Sequence, residues 1–145
     1  MSRRKDLAGQ GLRADGGAAA LEFALLLPML LLILGITMAV GRLWTVRSDV
    51  LAVARNASRE AVLEPGASQA AATASSAGQD AAAGYGLNPD HLRIDPEGPF
   101  GPGALYRVQV TYQVDLADLP GLGFLPGSVT IAEAGTEPID PNTAH

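Results

Sequence analysis

The chain contains no cysteine, which excludes disulfides, thiolate metal sites, a cysteine nucleophile and lipid attachment through cysteine. Histidine occurs only at His91 and His145, so imidazole-based metal or acid–base sites have little to draw on, and both residues read as surface positions. Aromatic residues make up 5% of the chain, too few for a large aromatic core. Basic residues are nearly missing from the distal part. Residues 64–145 hold two Lys/Arg against ten Asp/Glu, a balance of −8, whereas residues 1–63 hold eight against five, a balance of +3. A distal part this acidic excludes nucleic-acid binding, which needs a basic surface to neutralise phosphates. No nucleophile elbow, phosphate loop, metal-ligand cluster or catalytic carboxylate pair is present as a motif. The sequence therefore gives no basis for an enzyme, a cofactor, a bound metal or a small-molecule substrate.

What the chain does have is one long apolar run. Ala18 to Val40 is 23 residues whose only charge is Glu22. As a helix it would span roughly 34 Å, enough for a hydrocarbon core of about 30 Å. Pro28 lies near the middle of the run; a membrane helix tolerates proline but loses a backbone donor there and usually bends. Residues 1–17 are polar, basic and glycine-rich, and read as an unstructured leader.

The helical pattern continues beyond the run. Leu43, Val46, Val50, Val53, Ala54, Ala57 and Ala61 recur at three- and four-residue spacing, one stripe of an amphipathic stem covering residues 41–63. A continuous helix over 18–63 would be about 69 Å long. Gly41, Arg42 and Trp44 mark the membrane boundary, where an indole ring is well suited. Glu64-Pro65-Gly66 ends the pattern. Residues 67–84, rich in Ala, Ser, Gly and Gln, read as a second, lightly packed helix or as a linker.

The period then changes to two. His91 to Asp95 is a short strand candidate, and residues 96–103 are a loop by composition. Tyr106, Val108, Val110, Tyr112, Val114 and Leu116 alternate with polar residues, the pattern of a strand with one packed and one wet face. Residues 117–127 form a proline-glycine connection. Ser128 to Ala134 gives a last strand with Val129 and Ile131 on one face, and the tail from Glu137 reads as frayed. The expected fold is α+β: a transmembrane helix, an amphipathic stem, a second helix or linker, and a small antiparallel sheet within residues 64–145.

Lys/Arg counts on the two sides of the run are tied: Arg3, Arg4, Lys5 and Arg13 before it, Arg42, Arg47, Arg55 and Arg59 after it. The positive-inside rule alone therefore does not orient the chain. Glu22 stands one turn into the run, where a carboxylate in lipid needs compensation. It reaches water or headgroups, or it pairs with a cation. If the chain were cut after Gly17, the new Ala18 amine of a neighbouring subunit would be such a partner.

At this point the chain resembles a known family. Gly17, four small or apolar residues, Glu22-Phe23, a leucine-rich run with Pro28 and the closing Gly41-Arg42-Leu43-Trp44 are similar to TadE-like proteins, the minor pilins or pseudopilins of Tad/Flp pilus systems. Ala52 to Ala61 is similar to the alanine-and-arginine stretch that follows the anchor there. The resemblance covers about residues 13–63. It departs at Met38-Ala39-Val40, where an acidic residue often precedes the Gly-Arg pair, and Gly16 offers a neighbouring cut position.

The resemblance implies a non-enzymatic subunit in a bacterial cell membrane, single-pass, with a cytoplasmic leader and an extracytoplasmic C-terminal domain. It implies cleavage between Gly17 and Ala18 by a prepilin peptidase, and a role for Glu22 and Phe23 in assembly with other pilin-like subunits. Under this reading the stem stripe is expected to be the seam between helices of different subunits. Two rivals remain at this stage. One is an uncut, membrane-tethered binding domain that does not depend on Glu22. The other is a secreted product whose run is a signal peptide cut near Ala39-Val40-Gly41.

Overall fold

The computed structural model describes residues 8–142. Residues 1–7 of the leader, and His145, lie outside the described residues. A 54-residue helix, α1 (Ala8–Ala61), leads the fold. Leucine, methionine and alanine favour it, and it continues as helix through Pro28. It also starts earlier than expected: residues 8–17, read as unstructured leader, form its first turns. The physical reason is propagation. Extending an existing helix adds one hydrogen bond per ordered residue, while only nucleation is costly, so even a glycine-bearing segment joins.

After the turn at residues 62–66, α2 (Ala67–Gly84) folds back along the stem. The segment is therefore a helix and not a linker. Its buried residues are Ala70, Ala74, Gly78 and Ala82, one every fourth position, so α2 turns a ridge of small residues onto α1. Gly78 sets this closeness: an added Cβ would stand 2.5 Å from Ile94 Cδ1 and 3.5 Å from the Ala57 Cβ. Thr73 ties the turn by donating its hydroxyl proton to Glu64 Oε1 at 2.9 Å.

Three strands follow: β1 (Leu92–Glu97), β2 (Leu105–Asp115) and β3 (Ser128–Pro138), an antiparallel meander in that order. In β2 the alternation holds as read: Tyr106, Val108, Val110, Tyr112 and Val114 are buried. They face the stem, whose Val46, Val50, Val53, Ala54, Ala57 and Ala61 are buried as well. Phe100 meets the Tyr106 ring edge-on at 5.5 Å between centroids, and burial pushes the Tyr106 hydroxyl pKa above its ordinary value.

Two expectations need correction here. The stem stripe is not an open seam for other subunits, because this chain's own α2 and sheet cover it. Its small apolar residues gain more by burial against the adjacent domain than they would in water. The tail is not frayed from Glu137 either. Glu137 and Pro138 pair with β2, and Ile139 is buried, donating to the Ala104 carbonyl at 2.9 Å and accepting from Gly103 at 3.1 Å.

Candidate functional site

The feature that sets this chain apart is α1 before the stem. From Leu21 to Val40 its large side chains are exposed, Leu25 at 72% and Phe23 at 66%. This helix is long and apolar enough to cross a membrane. Its polar residues are managed within the helix. Thr37 donates its hydroxyl to the Ile33 carbonyl at 2.8 Å, so it needs no outside partner in an apolar surrounding, and just past the run Thr45 donates to the Gly41 carbonyl at 3.1 Å.

Glu22 is exposed and forms no ion pair with a described side chain. It sits four residues after Ala18, one helical turn away on the same side. The Gly17–Ala18 bond lies within α1, and Gly17 is exposed with open space around its Cα. Phe23 joins Leu26, Leu27, Met29, Leu30 and Ile33 around a shallow apolar groove beside Pro28. An exposed aromatic next to an exposed carboxylate, at one end of a largely bare apolar rod, suits contact with other apolar helices.

The boundary residues sit where the rod meets the domain. Gly41 and Arg42 are exposed, and Trp44 is 71% exposed. Val40, Leu43 and Trp44 form an apolar patch with Val129 and Ile131 of β3, flanked by Arg47. On another side of the helix, Arg42, Asp49, His91, Asp115 and Asp118 line a polar cleft of about 100 Å³, far below the roughly 300–1,000 Å³ of ordinary ligand pockets. His91 Nδ1 lies 3.1 Å from the Gln113 carbonyl, which gives it a structural bond at the edge of that cleft.

The sequence reading missed how the domain is fixed to the rod. Arg47 pairs with Glu133 at 2.5 Å, and Arg59 with Glu137 at 3.5 Å. Both glutamates lie on the inner face of β3, in register with Val110 and Tyr106. Between them Gly135 brings the strand backbone onto α1: a Cβ there would stand 2.6 Å from Ser58 Oγ, with the Ala54 carbonyl closer still. Ser58 is fully buried and spends its hydroxyl on the Arg55 carbonyl at 3.0 Å. A second close approach lies lower down. Gly121, at φ +74°, meets Gly35 of the apolar run: a Cβ on Gly35 would stand 2.8 Å from the Gly121 Cα. Gly35 was visible as a lone small residue in a leucine-rich run, but nothing local to it points to a loop 86 positions away.

No curated protein and no solved structure matched the chain in comparison. The family model described as TadE-like protein matches residues 17–59, so this segment, which begins at Gly17 and takes in Glu22, Gly41, Arg42 and Trp44, is similar to that family.

Proposed function

We propose that this protein is a pseudopilin-like structural subunit of a Tad-type pilus or of a related secretion assembly, cut between Gly17 and Ala18 by a prepilin peptidase. The observation that carries the reading is the TadE-like match over residues 17–59, whose anchor part keeps its large apolar side chains from Leu21 to Val40 exposed. Glu22 is the assembly residue. Once cleaved, the chain starts at Ala18, and the Glu22 carboxylate of one subunit neutralises the Ala18 amine of its neighbour within lipid. Phe23 and the leucines after it pack the anchors side by side. The leader faces the cytoplasm and the acidic domain faces outward.

The buried stem stripe supports a division of labour. Lateral contacts in lipid fall to the anchor, and the stem is spent on holding the chain's own domain. The deciding experiment is N-terminal sequencing of the protein recovered from host membranes. A start at Ala18 is the expected result. A start at Met1 would refute processing and leave a tethered domain, and a start near Arg42 would mean a signal peptide and a secreted product.

A further inference from the structure

The connection between β2 and β3 has an unusual make-up. Leu119-Pro120-Gly121-Leu122-Gly123-Phe124-Leu125-Pro126-Gly127 carries no charge. Leu119 is buried, whereas Phe124 is 72% exposed and Leu125 40%. The strands direct this loop toward the anchor, and the Gly35–Gly121 approach fixes it there. Gly35 lies five residues before Val40, about 8 Å inside the end of the apolar run. The loop is closed at its neck, where the Leu116 amide donates to the Gly127 carbonyl at 2.9 Å. Within it the amides of Leu119, Leu122 and Leu125 donate to the carbonyls of Leu116, Leu119 and Leu122. Pro120 and Pro126 have no amide hydrogen to satisfy. Internal pairing of this kind is what a backbone segment needs where water is scarce.

Bilayer thickness decides where the loop sits. If the loop stayed in water, the membrane would have to end before Gly35. The span would then shrink to Ala18–Leu34, about 25 Å of helix, short of the roughly 30 Å hydrocarbon core. Ile36, Met38 and Val40, all exposed, would be left in water. Sliding the span the other way would bring Arg13 and Asp15 into lipid, at about 2.5–3.5 kcal/mol each near the centre. With Arg42 and Trp44 at the boundary, the span is long enough and the loop lies below that boundary.

We infer that the β2–β3 loop is a second membrane contact, with Phe124 and Leu125 seated at the headgroup–acyl boundary of the domain-side leaflet, beside the anchor, while Leu122 packs back onto the core. Apolar faces seat at depths of about 5–10 Å in this region, matching the level of Gly35. Asp118 and Asp115 sit at the loop neck among the polar residues of the cleft at Arg42, so charge stops where lipid begins. The occupant is lipid, because the loop is continuous with the surface that the anchor itself presents to the bilayer. The inference rests on α1 being the membrane anchor.

The absence of cysteine makes the test clean. Single-cysteine variants L30C, F124C and T136C of the full chain, each at an exposed position, are labelled with an environment-sensitive nitrobenzoxadiazole dye. They are reconstituted at high lipid-to-protein ratio into phosphatidylethanolamine–phosphatidylglycerol vesicles. Spin-labelled lipids carrying the quencher near the headgroup or near the chain end report depth. The expected result is headgroup-type quenching at position 124, deep-chain quenching at position 30 and none at position 136. Quenching at 30 with none at 124 would overturn the loop inference while leaving the anchor intact. Absence of quenching at 30 would overturn both. A dye at 124 that is shielded only when protein is concentrated would assign the patch to a second copy and overturn the lipid assignment.

Discussion

Replacing Gly135 by alanine tests whether the sheet is seated on the stem. The added methyl would meet the Ala54 carbonyl and stand 2.6 Å from Ser58 Oγ, against about 3.5–4 Å for ordinary contact. The helix cannot yield, because Ala54, Ala57 and Ser58 are fully buried in a close-packed interior. β3 must therefore back off by about 1 Å, loosening the pairs of Glu133 and Glu137 with Arg47 and Arg59. Overpacking of this kind costs typically about 1–3 kcal/mol, and contact with backbone rather than a flexible side chain places it near 2 kcal/mol or above. That is about 30-fold or more in the folded-to-unfolded ratio. The assay is urea unfolding of the detergent-solubilised full chain read by pulse proteolysis, which reports opening of the domain. Gly84→Ala is the matched control: nothing lies within 4 Å of a Cβ there, and alanine in α2 should stabilise by about 0.5–1 kcal/mol. An unchanged midpoint for Gly135→Ala would refute the close seating, and an equal loss in both variants would refute the steric reasoning.

Three further outcomes are expected. Glu22→Ala should leave membrane insertion intact and lower co-purification with other pilin-like subunits; undiminished co-purification would count against the pairing. Arg47→Ala should cost about 1 kcal/mol, because Glu133 is only 17% exposed and would lose its cation. Arg59→Ala should cost less than about 0.5 kcal/mol, since that pair is longer and more open to solvent; double-mutant cycles with Glu133→Gln and Glu137→Gln separate the pairs. Burial raises the Tyr106 pKa, so the folded state keeps a proton that the unfolded state releases. Stability is then intact below the ordinary tyrosine pKa of about 10 and falls as pH rises beyond it. Tyr106→Phe should flatten that alkaline fall, and an equally steep fall in the variant would dismiss the cause.

The elements that could be read from the sequence were those with a single period. The apolar run, the stem stripe and the alternation of β2 each express one face meeting one environment, and each is where it was expected. β3 was read as ending at Ala134 because its inner face changes chemistry: after Val129 and Ile131 come Glu133, Gly135 and Glu137. Charge neutralised by arginines of α1 and a glycine demanded by close approach do not look like a buried face. The tail was misread for a related reason, since Ile139 is held by partners at Gly103 and Ala104. The proline-glycine connection was identified as such, but its docking on Gly35 is a long-range contact with no local signature. Of the candidate site, Glu22 and Phe23 stand out in the sequence as a carboxylate and an aromatic at the start of an apolar run, whereas the ion pairs that fasten the domain need the fold.

The unbroken passage of α1 from anchor into domain also fixes direction. α2 and the sheet are fastened to the stem, so the domain has no swivel of its own, and its compass bearing follows the rotation of the anchor. A helix advances about 100° per residue. One residue inserted between Val40 and Leu43 would turn the whole domain through about that angle, against the resistance of the Gly35–Gly121 approach, the buried Ala39 and the Val40 patch on β3. If the anchor packs against a neighbour as proposed, the side chains that make that contact would also choose which face of the domain looks outward.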